Sequence, residues 1–385
     1  MTIEGVKPKT KRDLFTEEPH RTFPGRIYRK MKPEYKKFYE DYKRNLPSIE
    51  WVSCLKDELR SLKKVETGAT RLFSIAPVQY VMLGREITMH MQEQLYNARL
   101  TCPVSIGINA HSDEWGIFIS KLSTPINPRT IRYLAGDKSK YDMTVPNEFN
   151  QQILEFFKLY SDEEMHADLD YFFEEIMYGK HVVLNQQFIK SGGNCSGGPI
   201  TALMNSLTNA LMDLYIFVKG CLFHGLNPRE AFPHGLQIRA YGDDDIIAVD
   251  SSLYPWYTMK FLATEFAILG IKYTDASKGY PQTDYVERED VSYLKRNFVL
   301  ESDYVYAPRP LEEILEQLNW YRIGTVSAEQ QCKFNVEDVM RELAHHPREV
   351  FVLWRNNINK ILMKHGFSIV PDNFYETRQH MMNAI

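Results

Sequence analysis

Two β-rich runs, residues 236–240 and 246–249, flank Tyr241-Gly242-Asp243-Asp244-Asp245, and no other stretch constrains the chain as much. Such runs around a Gly-Asp turn read as a β-hairpin, because Gly and Asp tolerate turn dihedrals and Asp bonds its own backbone. A turn needs nothing more. Adjacent carboxylates at a tight tip also repel one another unless a cation lies between them, and an oxygen-only cluster suits Mg2+. A second source of acid would make this hairpin tip a candidate cation site.

Residues 131–135 read as a short strand followed by Asp137, with Asp142 five residues further on. If that strand lies beside the hairpin, Asp137 faces Asp243 and Asp244. Three carboxylates at strand ends can hold two divalent ions about 3.5–4 Å apart, the arrangement for in-line displacement at phosphorus. Taken alone, Asp137 reads equally well as a capping or turn aspartate. A third element, Gly192 through Thr201, is glycine-rich and leads into a helix over 199–223. Its glycines allow close backbone approach, and exposed N–H groups at a helix start attract anions. Thr201, Asn205 and Asn209 recur every four residues as a polar stripe on that apolar helix, where core hydrogen bonding is the plainer account. Lys56, Arg60 and Lys64 share i, i+4 spacing ahead of Arg71. They fit a solvated helix face, or a cationic wall for a triphosphate.

Around these elements the chain mixes strands and helices without βαβ alternation, which predicts an α+β class. Residues 1–50 read as loop plus a short helix, and helices are expected over 73–100, 147–160, 168–178, 256–269 and 311–323. A further helical stretch, 336–364, is expected to break at Pro347, with His345 and His346 on its surface. The composition, 44% apolar and 25% charged, excludes disordered and collagen-like chains. No uninterrupted apolar run approaches the ~18 residues of a membrane span, so none is expected. The polar first thirty residues have no signal-peptide core. Five cysteines without a CxxC pair suit free thiols in a reducing compartment and offer no zinc site. Residues 1–64 carry 17 basic against 10 acidic side chains and the remainder 29 against 40, an asymmetry compatible with a polyanion contact or with a solvated basic arm.

The order of these elements resembles the viral RNA-dependent RNA polymerases of the picornavirus-like group, dicistrovirus-type enzymes included. The likeness runs from about Lys56 to Arg296. Lys56 through Arg71 resembles motif F, and Asp137-x4-Asp142 motif A. Ser196-Gly197-x3-Thr201-x3-Asn205-Ser206 is similar to motif B, and Tyr-Gly-Asp-Asp to motif C. Gly270 through Thr274 with Lys278 is similar to motif D, and Tyr293-Leu294-Lys295-Arg296 to motif E. The resemblance implies a right-hand fold: fingers over 1–128 and 161–192, palm over 129–160 and 193–305, thumb over 306–385. It implies template-directed transfer of NMPs from NTPs to an RNA 3′ end in viral genome replication. Asp137, Asp243 and Asp244 would bind Mg2+, or Mn2+, and Lys278 would be the general acid. Lys56, Arg60, Lys64 and Arg71 would neutralise the triphosphate. Asp142, Asn205, Ser196, Gly197 and Thr201 would serve the ribose, and Lys295 and Arg296 the primer backbone. Implied partners are template and product RNA, NTPs, a viral protein primer and other replication proteins, at a membrane-associated complex in the host cytoplasm.

Asp245 is expected to point away from the cations. Thr22-Phe23-Pro24-Gly25 is similar to a template-guiding Thr-x-Pro-Gly element. The stretch before motif F is short for the group, so Met1 is expected to mark a cut within a polyprotein, with a curtailed bridge between fingers and thumb. Rival readings are a reverse transcriptase, an RNA-binding scaffold and a Mg2+-dependent phosphohydrolase. Asp142 with Asn205 argues against the first, the intact acids and Lys278 against the second, and the Ser196-to-Asn205 element against the third.

Overall fold

The structure, a computed structural model, describes residues 10–19, 27–124, 126, 131–275, 278–321, 324 and 326–384. Thr22 to Gly25 lie outside them. In chain order come β1 (Phe15–Pro19), β2 (Ile27–Met31), α1 (Pro33–Asn45), β3 (Glu50–Leu55), α2 (Leu62–Glu66), β4 (Leu72–Ile75) and α3 (Val78–Asn97). Next are α4 (Glu114–Ser123), β5 (Arg132–Leu134), β6 (Asp137–Ser139), α5 (Tyr141–Thr144), α6 (Asn147–Leu159), α7 (His166–Tyr178), β7 (Lys180–Val183) and β8 (Gln186–Ile189). Then follow α8 (Thr201–Phe223), α9 (Pro228–Gly235), β9 (Leu236–Tyr241), β10 (Asp244–Val249), α10 (Met259–Ile268) and β11 (Lys272–Thr274). Last are β12 (Ser292–Tyr293), β13 (Arg296–Asn297), β14 (Val299–Glu301), β15 (Tyr304–Tyr306), α11 (Leu311–Glu316), α12 (Ala328–Leu343), α13 (Arg348–Lys364) and α14 (Phe374–Asn383). The chain divides into two compact units, residues 1–90 with 150–201, and 91–149 with 202–385. The limits of these units fall within α3, α6 and α8.

The first unit holds a four-stranded sheet in the order β4-β3-β7-β8, with β3 and β7 parallel. Trp51 anchors it: the indole is fully buried, donates to the Glu175 carbonyl at 2.9 Å and stacks on His181. Strand β4 occupies 72–75, where a helix was expected, and the helix begins only at Val78, after Pro77.

The second unit is organised by an antiparallel sheet, β5-β10-β9, pairing Ile247 with Leu134 and Ile238. Side chains alternate across a strand, so β10 serves two cores. Ile247 and Val249 pack with Met212, Ile216 and Phe217 of α8 and Leu262 and Phe266 of α10. Ile246 and Ala248 pack with Trp115, Phe118 and Leu122 of α4. Burial on both faces explains why residues 246–249 of β10 read as a continuous apolar run. A third cluster within this unit joins Ile314, Val339, Leu343, Phe351, Leu362 and Phe374 from α11 to α14.

By length and composition alone α8 is apolar enough to cross a membrane. Its most apolar window is 56% buried inside the protein, and the helix carries Asp213 in the core. That makes it a core helix.

Candidate active site

Gly242, at φ +66, forms the β9–β10 tip with Asp243, and α8 braces that turn from behind. The Gly242 N–H donates to Ser206 Oγ at 2.8 Å, and Asn209 Nδ2 donates to the Gly242 and Asp243 carbonyls, both at 3.1 Å. The polar stripe on α8 is thus partly a turn clamp; Ser206 carried no assigned role in the sequence reading. Asp137 opens β6, opposite Thr274 of β11. Gly136 precedes it because a Cβ there would collide with the Tyr273 ring, and the chain uses this close passage to leave β10 for β11.

Electrostatics tie these acids together. Asp243 is raised above the usual carboxylate range, first by burial and also by the charges of Asp142 and Asp137. Asp244 is pushed up to about 6 by burial and then by Asp243, Asp245 and Asp137, with Lys278 opposing. Lys278, at φ +64, places Nζ 2.7 Å from Asp137 Oδ2. Among the described residues no three His, Cys, Asp or Glu side chains form a group able to hold a metal ion as they stand. The donor chemistry nevertheless fits a hard divalent cation: all three groups are carboxylates, and Asp137 destabilises the charge on both others.

Beside them, Asn205 Nδ2 donates to Asp142 Oδ1 at 2.6 Å. The Tyr141 hydroxyl donates to the Asn205 carbonyl at 3.0 Å, so α5 and α8 are pinned where the pair meets. Asp245 turns inward, fully buried, and bonds Lys138.

In motif E the β12–β13 turn is Leu294-Lys295, both at positive φ, an I′ turn made without glycine. Lys295 Nζ reaches Glu313 at 3.0 Å and is otherwise exposed. Arg296 departs from its expected place at a nucleic-acid surface: it forms a double ion pair with Glu342, at 2.8 and 2.6 Å, and its side chain is 12% exposed. His345 departs from the expected helix surface too, being 2% exposed. The Ala307 N–H donates to His345 Nδ1, leaving Nε2 to donate to His111 Nδ1 at 2.9 Å; His111 Nε2 then faces Glu342 at 3.3 Å. A histidine with its acceptor nitrogen committed to a buried amide resists protonation.

Burial and the neighbouring cations hold His345 down at about 3, and Glu342 sits at about 2, burial being outweighed by His111 and Arg296. The signs agree. A depressed histidine gives stability that is complete above the unfolded value of ~6.5 and lost as pH falls towards 3; Glu342 adds loss below ~4.5. Each group contributes about 1.4 kcal/mol per pH unit in its window. Thermal melts of the unmodified chain should therefore fall steeply between pH 6.5 and 4.5. His345→Asn, which keeps an acceptor near Nδ1, should flatten that slope while lowering stability at neutral pH; an unchanged slope would show that His345 does not cause it.

In the first unit the motif F cations do not share a helix face, since residues 56–61 precede α2. They converge on Glu58. Arg71 donates through Nε at 2.7 Å and through Nη2, with Lys56 Nζ at 3.5 Å and Arg60 Nη1 at 3.4 Å. Arg71 above all pulls Glu58 down to about 2. Lys64 lies exposed on α2. The Thr201 hydroxyl is spent inside its own loop, on the Cys195 and Gly198 carbonyls at 2.6 and 3.1 Å. Ser196 is exposed, and Gly197 passes tightly against Ser74 of β4.

Residues 3–350 match the family model described as viral RNA-dependent RNA polymerase. The replicase polyprotein of acute bee paralysis virus (strain Rothamsted) is 31% identical over 335 residues, 82% of this chain and 17% of the polyprotein. The RNA1 polyprotein of Andean potato mottle virus is 28% identical, covering 86% of this chain and 46% of its own length. The replicase polyprotein of cricket paralysis virus is 23% identical, covering 83% and 19%. The chain thus spans between 17% and 46% of the length of these three relatives. Among solved structures, the sicinivirus 3Dpol RNA-dependent RNA polymerase shares the fold, with a TM-score of 0.77 at 21% identity over 96% of this chain and 73% of that one.

Proposed function

Because the chain belongs to the viral RNA-dependent RNA polymerase family, we propose that it performs template-directed RNA synthesis in viral genome replication, using a pair of divalent ions at Asp137, Asp243 and Asp244. The observation that carries this reading is the gathering of acid at the hairpin tip: burial first, and then Asp243, Asp245 and Asp137, push Asp244 up to about 6. Divalent ions, Mg2+ or Mn2+, supply when bound the acidification of a primer 3′-hydroxyl and the neutralisation of the triphosphate and leaving pyrophosphate.

The chain's own residues do the rest. Asp142 and Asn205 recognise the ribose hydroxyls, and a sugar lacking one would leave the pair partly unsatisfied. Lys56, Arg60, Lys64 and Arg71 neutralise phosphate oxygens, with Glu58 setting the direction of three of them. Ser196, Gly197 and Thr201 shape the loop leading into α8. Lys278 holds a proton at Nζ for the departing pyrophosphate, and Lys295 contacts the primer backbone while Arg296 braces it. Residues 129–160 and 193–305 then serve as palm, 1–128 and 161–192 as fingers, and 306–385 as thumb. Template and product RNA and NTPs are the partners, in the host cytoplasm.

Lys278→Leu tests the chemistry. It should lower the maximal single-nucleotide incorporation rate by roughly 10²-fold, as removal of a positioned acid does, with little change in NTP affinity. An effect on affinity alone would assign Lys278 to phosphate binding. The overall reading is tested by copying a primed heteropolymeric RNA: a product complementary to the template supports it, and untemplated addition overturns it.

A further inference from the structure

Asp137 and the Asp243–Asp244 turn stand in different ladders. β5 runs with β10 up to Leu134, opposite Ile247, and three residues later Asp137 is opposite Thr274 in β11. Among the described residues no ladder joins β6 to β10, so backbone hydrogen bonds do not set the gap between these carboxylates. A side chain bridges it. Lys138, next to Asp137, bonds through Nζ to Oδ2 of Asp245, next to Asp244, and Asp213 Oδ1 of α8 lies 3.9 Å from the same nitrogen. All three side chains are fully buried.

The Lys138 ammonium is also held from α10 and β11, 4.6 Å from the Phe266 ring centre and 5.5 Å from that of Tyr273. Burial raises the Asp213 carboxyl well above the usual carboxylate range, against the pull of Lys138. At the centre stands a buried ion pair, Lys138 with Asp245. Such a pair is a poor source of stability, because desolvation consumes much of its attraction and well-packed apolar side chains serve as well. Stability alone does not account for charges here.

We propose that Lys138, acting through Asp245, is a positioning residue that sets the spacing between Asp137 and the Asp243–Asp244 turn, and thereby the affinity of those carboxylates for divalent cations. This rests on reading the three carboxylates as the cation site. Each catalytic strand carries its acid on one residue and its half of the tie on the next, so a shift of either strand must stretch a bond that has no solvent to replace it.

Two variants separate position from charge: K138M and K138M/D245L. Removing a cation near carboxylates should, by charge alone, tighten cation binding; loss of position should weaken it. The double variant removes one cation and one anion together, so it decides the matter if K138M fails to fold. The probe is Mn2+, titrated against the full chain and read by electron paramagnetic resonance of the free ion, with melting temperature and primer extension in parallel. Both variants should bind Mn2+ about 10-fold more weakly than the unmodified chain, as supporting residues around metal ligands typically do when replaced. The double variant should show this while melting near the unmodified chain, a split that a merely structural pair would not give. Mn2+ affinity equal to or tighter than that of the unmodified chain overturns the proposal. Weakened Mn2+ binding in the variants, with no extension by the unmodified chain, would instead reject the polymerase reading and leave the tie standing.

Discussion

Asp243→Asn should abolish primer extension while leaving the protein as stable as before, or slightly more stable. The turn is held from α8 whatever the charge on residue 243: Gly242 N–H is held by Ser206, and both turn carbonyls by Asn209. Asparagine keeps the shape and removes one charge from a cluster in which burial, Asp142 and Asp137 already disfavour it. Relief of that repulsion should keep the melting temperature level or raise it, the usual opposition between an active site's demands and the fold's. Loss of a shared cation ligand should cost ~10³-fold in incorporation rate, about 4 kcal/mol of barrier. RNA binding should be unchanged. Extension within tenfold of the unmodified chain would remove Asp243 from the cation site, and a collapse in melting temperature would make its role structural.

Asn205→Ala should erode the preference for NTPs over dNTPs. Its amide donates to Asp142 at 2.6 Å, and the Tyr141 hydroxyl fixes its backbone independently, so truncation removes this donor to Asp142 without moving the helix. A polar site that reads a hydroxyl rejects the deoxy analogue because its own groups are left unpaired. Deleting one member of the pair should reduce discrimination by ~10–100-fold, roughly 1.4–2.7 kcal/mol, mostly through slower NTP incorporation. The check is kcat/KM for matched NTP and dNTP on one primed RNA. An unchanged ratio would remove Asn205 from sugar reading.

The hairpin at 236–249 and helix α8 are legible in the sequence because burial makes residues 246–249 wholly apolar and gives α8 a long, mainly apolar stretch. The sheet β4-β3-β7-β8 is not. Its strands mix Glu50, Ser53 and Lys180 with Val52 and Ile189 on open faces, so no alternation marks them. Helix α14 escapes for a related reason, burying only Phe374, Arg378 and Met381. At the site, Asp137 is visible through its strand and neighbouring Asp142, but its transfer from β10 to β11 depends on the Tyr273 ring against Gly136, a contact 137 positions apart. Lys138 is hidden for the same reason. A lysine in a short polar strand reads as solvated, and only Asp213 and Asp245, distant along the chain, make its burial tolerable. The motif F run misleads in the opposite direction: i, i+4 spacing suggests a helix, whereas Glu58 gathers the cations onto an irregular segment.

The central claim is that carboxylates from two separate ladders act through divalent ions on a nucleotide. The most direct measurement is extension of a primed RNA by the unmodified chain, stripped of metals by a chelator and then resupplied. Addition of the template-matched NTP should cease on stripping and return with Mg2+ or Mn2+. Extension that continues in the chelator at the resupplied rate would contradict the account.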